Sequence, residues 1–298
     1  MGSEVVVVGS TNIDVIVTVD TVPQAGETVI GGRVVESFGG KGANQAVMAA
    51  RCGAPVVMIT GLGDDAHGRA AAANFTANGV DHTPSFVFDG PTGMAHIWVD
   101  RTGENRIVVV SGANERLDPD AVCGRFEALD DVAVVVGQCE IPLGVTEAVF
   151  AAARRRGITT VLNPAPFLPL PPALLACTDW LVVNEIEHRS LGAVPYDGSL
   201  VVTSGAAGAE LIERDGRRTS VAAPVVQARD STGAGDCLVG AFAAALARGV
   251  APLAALRFGV WCAAASVTRP GAQPSYPDPA EAEAALAAVL AGDVPAGG

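Results

Sequence analysis

The sequence predicts an α/β protein: one domain over residues 1–298 built on a doubly wound, mostly parallel sheet with helices on both faces, plus a small β-sheet lid. Three observations carry this. Uninterrupted apolar runs rich in β-branched residues, such as Val5-Val6-Val7-Val8 and residues 132–136, suit strands buried on both faces. From about residue 118 such runs alternate with helix-forming stretches, the order that a parallel sheet requires. Outside that alternation, residues 93–100 and 106–110 flank Arg101-Thr102-Gly103-Glu104-Asn105, a hairpin with a glycine in its loop.

Element by element, residues 5–8 form the first strand and Gly9-Ser10 ends it. Residues 14–19 give a second strand, and residues 27–38, rich in Val, Ile and Gly, read as a short hairpin. A helix over 43–51 follows the glycine cluster. A core strand at 55–59 stops at Gly61, and a helix over 66–78 stops at Gly79. The 93–110 hairpin should pair with the strands before residue 38, so that about 13–38 and 92–111 make the lid. Next come a strand at 132–136, a helix at 143–156, and strands at 158–162, 179–183 and 200–203. The proline-rich stretch 166–172 must be a turn or loop. Helices are expected from near Gly233 to 246, over 253–266 and over 279–290, the last running into a frayed end rich in Ala, Gly and Pro. No repeat or linker divides the chain.

Composition narrows the function. With 49% hydrophobic and 17% charged residues, the chain can build a core and is not of the disordered class. Its net charge of −13 and lack of a long basic block argue against nucleic acid as a partner; Arg154-Arg155-Arg156 reads as a solvated helix end. The six cysteines and four histidines are scattered without zinc-like spacing. The thiols read as small buried residues in a reducing cytosol. No basic leader with a cleavage site precedes the first strand, and the longest apolar runs, such as 239–247, are too short to span a bilayer. A cytoplasmic protein with no membrane partner is expected. One lysine, Lys41, stands against 18 arginines, which marks it for a specific local task.

Four clusters can carry chemistry. In Asp230-Ser231-Thr232-Gly233-Ala234-Gly235-Asp236, small residues open a helix whose free N–H groups would bind an anion. A carboxylate there suits a base that takes a proton from an attacking hydroxyl, with the N–H groups of residues 233–235 stabilising a transferred phosphoryl group. The same Asp236 also fits an ordinary first-turn carboxylate. Gly39-Gly40-Lys41-Gly42-Ala43-Asn44 is not a Walker A loop, because Val35 stands where that motif needs glycine and no Ser/Thr follows the lysine. It offers backbone donors with Lys41 and Asn44, or simply a tight strand-to-helix turn. Asn12 and Asp14 follow the first strand, at the strand end where α/β proteins bind ligands; Asp14 suits two adjacent sugar hydroxyls, and an Asx turn is the plainer alternative. Asn163-Pro164-Ala165-Pro166 and Asn184-Glu185-Ile186-Glu187 also follow apolar strands. Asn184 and Glu187 suit the water shell of Mg²⁺, or a helix cap.

Together these motifs resemble the PfkB (ribokinase-like) carbohydrate kinase family. The N-terminal signature is matched by Gly39-Gly40-Lys41-Gly42-Ala43-Asn44-Gln45-Ala46 and the C-terminal one by residues 230–236. Between and after them, Ser111-Gly112-Ala113-Asn114, the two Asn motifs and residues 268–275 fall in family order, so the resemblance covers roughly 5–280. It implies transfer of the ATP γ-phosphate to the 5-hydroxyl of D-ribose, with Asp236 as base and Gly233, Ala234 and Gly235 as the anion hole. It implies that Asn12, Asp14, Gly40, Lys41, Asn44 and Glu140 hold the sugar. Asn184 would approach the nucleotide phosphates, and Thr203, Ser204, Gly205 and Gly208 would line the nucleotide side with Gly235. Glu187 would organise Mg²⁺ or another divalent cation through a water. Asp230, Thr232, Ser266, Arg269, Gly271 and Ser275 would form a site for an activating K⁺. The lid strands would pair in a homodimer.

One departure stands out. After Glu187 the strand at Leu200 arrives quickly, as though about one helix of the family pattern were shortened. That segment lies on the nucleotide side. Rival readings are a family kinase for deoxyribose, fructose or adenosine, a non-catalytic sugar or nucleotide sensor, and a dinucleotide oxidoreductase. The last lacks a GxGxxG after the first strand.

Overall fold

The computed structural model describes residues 3–192 and 194–292; the expected frayed C-terminal end lies almost wholly outside them. Nine strands form the main sheet, in the order Arg218–Val221, Ala209–Ile212, Ser199–Thr203, Trp180–Asn184, Thr159–Asn163, Val132–Gln138, Glu4–Val8, Val56–Ile59 and Val80–Asp81. Every pairing is parallel except the two that join the first three strands. Strand alternation divides the core into two layers. Val5 and Val7 pack under helices Lys41–Arg51, Ala234–Ala247 and Pro252–Ser266. Val6 and Val8 face Phe126, Val149 and Phe150 on the other side, from helices Pro119–Glu127 and Leu143–Arg155. Burial on both faces is why these strands are apolar without alternation.

The lid is a separate four-stranded sheet, ordered Val34–Gly39, Asn12–Thr18, Gly93–Val99, Asn105–Val110. Its strands lie within residues 12–39 and 93–110, and one expectation is corrected. Residues 27–38 do not fold back on themselves. Only Val34–Gly39 is a strand, and it pairs antiparallel with Asn12–Thr18. Thr18 holds the chain just before it: the Arg33 N–H donates to Thr18 Oγ1 (2.9 Å) and the Gly32 N–H to the Thr18 carbonyl (2.8 Å), so the preceding residues lie open. The hairpin of Ala209–Ile212 and Arg218–Val221 at the sheet edge was not anticipated.

Glu187 lies in the seven-residue helix Glu185–Leu191, and the next described element is strand Ser199–Thr203. The arginine cluster is a helix end: Arg155 pairs with Glu127 (2.9 Å) and Arg156 donates to the Phe126 and Leu129 carbonyls. All six cysteines are free. No described helix is long and apolar enough to cross a membrane.

Candidate active site

Two helix starts meet at the carboxyl edge of the sheet. Helix Lys41–Arg51 begins behind Gly40, whose φ of 85° is a conformation open to glycine and strained for other residues. A Cβ there would lie 2.7 Å from the Asn12 nitrogen. The turn thus needs glycine for its backbone as well as for any ligand. Helix Ala234–Ala247 begins behind Gly233, in the left-handed region at φ 73°.

Asp236 sits in the first turn of that second helix and is only 6% exposed. Its two oxygens each accept one amide: Asn44 Nδ2 donates to Oδ2 (3.0 Å) and Gln45 Nε2 to Oδ1 (2.9 Å). Both donors come from the glycine-rich motif almost two hundred residues earlier. Gln45 also donates to Asn163 Oδ1 (3.2 Å) and accepts from Gln138 Nε2 (2.7 Å). Among the expected anion-binding N–H groups, that of Ala234 is spent within the turn on the Ser231 carbonyl (3.2 Å). Among the described hydrogen bonds, those of Gly233, Gly235 and Asp236 have no such partner.

Lys41 stands among carboxylates. Asp236 foremost raises its pKa; burial opposes this, and Glu140, Glu187 and Asp14 add to the rise. Glu140 Oε2 accepts from Ser10 Oγ (2.5 Å) and from the Lys41 N–H (2.9 Å), tying the end of the first strand to the helix start. Asp14 is pushed up to about 6, first by burial and then by Glu140 and Asp236, with Lys41 offsetting part of it. No described group donates a hydrogen bond to its side chain. Asn12 Oδ1 accepts from Asn114 Nδ2 (2.9 Å).

Three cavities run through this region. One of about 440 Å³ is lined by Asn12, Val109, Ser111, Cys139, Glu140 and Pro166. A central one of about 150 Å³ holds Lys41, Asn184, Glu187, Thr203, Gly235 and Asp236. It shares Thr203 and Gly235 with an apolar cavity of about 400 Å³, also lined by Gly205, Gly208, Val225 and Ala263. Polar groups for a sugar, a central carboxylate beside a helix start, and an apolar slot for a flat ring follow one another.

The other expected residues divide. Asn184 and Glu187 do form a helix cap: Asn184 Oδ1 accepts from the N–H groups of Ile186 and Glu187, and Glu187 Oε2 accepts from the Asn184 N–H (2.8 Å). That leaves Glu187 Oε1 and Asn184 Nδ2 for the cavity they line. Ser204 is turned to Glu185 (3.1 Å). Around the 230 and 266–275 loops, Asp230 accepts from Thr232 (2.9 and 2.6 Å) and from the Gly271 N–H (2.7 Å). Burial alone raises its pKa, but these bonds outweigh that and hold it low. The Ser266 and Ser275 hydroxyls donate to the Ala263 and Ala272 carbonyls, and the Arg269 side chain pairs with Glu281. Among the described hydrogen bonds, the carbonyls of Thr232, Arg269 and Gly271 accept none, so backbone oxygens are what this loop offers a cation. Sequence reasoning missed Ser10, Gln138 and Gln273. Gln273 belongs to the late motif, and its partner Asn44 lies too far along the chain to suggest the contact.

The chain matches the pfkB family carbohydrate kinase model over residues 3–279. It is 39% identical over 290 residues to the ribokinase of Bacillus subtilis, covering 94% of this chain and 98% of that protein. It is 33% identical over 295 residues to the deoxyribokinase of Salmonella typhi, covering 92% and 95%. The structure of Arabidopsis thaliana ribokinase complexed with ribose and ATP superposes with a TM-score of 0.87 at 30% identity, over 96% of this chain and 99% of that one.

Proposed function

The chain belongs to the PfkB family of carbohydrate kinases, and from that premise we propose that it is a ribokinase making D-ribose 5-phosphate from D-ribose and ATP. The observation that carries the mechanism is Asp236: nearly buried, held by two amide donors, at a helix start with open N–H groups, in the central cavity it shares with Lys41, Asn184 and Glu187. The ribose 5-hydroxyl gives its proton to Asp236 as its oxygen bonds to the γ-phosphorus. The bond from that phosphorus to the β–γ bridging oxygen breaks, and ADP leaves. The N–H groups of Gly233 and Gly235, with that of Asp236, face the charge that develops on the phosphoryl oxygens.

Asp14, Asn12, Lys41, Asn44 and Glu140 hold the sugar, and Gly40 gives its turn the required shape. Asn184 meets the phosphates; Thr203, Gly205 and Gly208 border the base and ribose of ATP, and Ser204 lies beside them. Glu187 has one free oxygen, which suits a water-linked Mg²⁺; such an ion would neutralise phosphate charge. Asp230, with the carbonyls of Thr232, Arg269 and Gly271, suits K⁺, and Ser266 and Ser275 brace that loop. The relatives named ribokinase and deoxyribokinase leave two acceptors to separate. Asp14, with no donor among the described residues, suits the adjacent hydroxyls that ribose has and deoxyribose lacks at C2. A cytoplasmic enzyme fits the six free thiols.

The lid supports a homodimer. Every residue of edge strand Asn105–Val110 is exposed, Ile107 through Val110 by about half.

The test is a coupled ADP-release assay with Mg²⁺ and ribose, deoxyribose, fructose or adenosine, with K⁺ or with Na⁺ in its place. Ribose should be preferred and K⁺ should raise turnover, while Asp236→Asn should lower kcat by about 10²–10⁴-fold. Preference for another acceptor overturns the substrate; an active Asp236→Asn overturns the base.

A further inference from the structure

Asp236 is the last member of a hydrogen-bonded chain that starts at a cation lining none of the three cavities. Arg51 closes the C-terminal end of helix Lys41–Arg51. Its Nε and Nη2 both donate to Asn78 Oδ1 (3.2 Å each). Asn78 Nδ2 donates to Asn74 Oδ1 (3.2 Å), and Asn74 Nδ2 to Gln273 Oε1 (2.9 Å). Gln273 Nε2 donates to Asn44 Oδ1 (3.0 Å), and Asn44 Nδ2 to Asp236 Oδ2 (3.0 Å). Every bond points the same way.

That direction is enforced from both ends. A guanidinium only donates and an ionised carboxylate only accepts. Turning any one amide over would set NH₂ against NH₂ on one side and oxygen against oxygen on the other. The four amides therefore orient one another, and each is polarised in the same sense by its neighbours. Arg51, Asn74, Asn78 and Gln273 line none of the three site cavities. A second route runs from the same guanidinium. Arg51 Nη1 donates to the carbonyls of Gln273 (2.9 Å) and Tyr276 (3.1 Å). The Tyr276 hydroxyl donates to the Gly233 carbonyl (3.0 Å), at the residue that opens the helix carrying Asp236.

We infer that Arg51 is a positioning residue for both halves of the phosphoryl-transfer machinery, turning the donor face of Asn44 onto Asp236 through Asn78, Asn74 and Gln273 and fixing Gly233 through Tyr276. This rests on Asp236 being the base. The chain is needed because Asn44 is an amide whose two ends are nearly alike in shape. Left unbraced, it can present its oxygen to the carboxylate and push the base out of line with the acceptor hydroxyl.

Two near-isosteric substitutions reverse the chain without removing volume. Asn78→Asp keeps a partner for Arg51 but can no longer donate to Asn74. Gln273→Glu keeps its bond from Asn74 but can no longer donate to Asn44. Each should lower kcat by about 10- to 100-fold, the worth of one hydrogen bond to a charged group, with the KM for ATP within about twofold and Tm within a few degrees of the parent. Asp236→Asn is assayed beside them. If Asp236→Asn is inactive while both variants keep the parent kcat, the chain has no positioning role, although the base assignment stands. If Asp236→Asn is active, the base assignment falls and this inference with it. A kcat loss that only follows a matching loss of Tm also overturns it. Should Gln273→Glu not fold, Asn78→Asp decides, because its aspartate still pairs with Arg51.

Discussion

Asp14 offers the sharpest link between an electrostatic environment and sugar affinity. Burial, Glu140 and Asp236 push it up to about 6, some two units above the about 3.9 of a free aspartate. To accept two sugar hydroxyls it must be ionised. At pH 5 only about one molecule in ten would be, so the Kd for ribose should rise about tenfold between pH 7.5 and pH 5, by about a decade per unit at the acid end. Isothermal titration with ribose alone reads this without the chemical step. The stability effect has the opposite sense. A carboxyl with a raised folded pKa binds its proton more tightly when folded. Its contribution is therefore fully present below about pH 4 and lost as pH rises through about 6. Two units correspond to about 3 kcal/mol. Because no described group donates to this side chain, Asp14→Asn should lose no internal hydrogen bond and raise Tm at pH 7.5 by about 2–6 °C, while weakening ribose binding and flattening its pH dependence. The other groups facing Asp14 are Glu140, Asp236 and Lys41; all remain in the variant, so any surviving slope reports on them. A ribose Kd that is flat from pH 7.5 to 5 in the parent, or equally steep in Asp14→Asn, would refute the reasoning.

Lys41→Met should lower kcat/KM by about 10–100-fold, the range for one lost charge-assisted interaction, and should raise the KM for ATP, because Asp236, Glu140, Glu187 and Asp14 then face the phosphates unopposed; an unchanged KM for ATP in steady-state kinetics would count against it. Replacing Ile107 and Val109 with lysine should convert a dimer to a monomer in light scattering without changing the far-UV spectrum, since both lie on the exposed edge strand; a parent that is already monomeric overturns the lid interface.

The fold was legible because it is written locally. Runs such as Val5 to Val8 are apolar at every position because both faces are covered, and Gly40 and Gly233 mark turns whose backbone angles other residues strain to adopt. The outer hairpin of Ala209–Ile212 and Arg218–Val221 was missed for the converse reason. An edge strand such as Arg218–Val221 is largely exposed, so its residues carry little apolar signal. Residues 27–38 misled because a glycine-rich run of β-formers suits a hairpin, whereas its actual partner is strand Asn12–Thr18.

The site was legible only in part, and the division is physical. Asp236, Lys41 and Asn44 sit where a motif bends the backbone, so their neighbourhood can be read from adjacent residues. The groups that orient them cannot. Gln273 and Asn44 are 229 positions apart, and Gln45 and Asp236 are 191 apart; nothing near any of them in sequence calls for its partner. The same geometry explains why one lysine is retained where arginine serves elsewhere. Four carboxylates, Asp14, Glu140, Glu187 and Asp236, raise the pKa of Lys41. A compact ammonium can serve several of them in turn, while a planar guanidinium commits its fork to one. Lys41 is the one cation among the described residues that line the central cavity, so phosphates need further neutralisation to enter. ATP should therefore bind far more weakly without a divalent cation than with it.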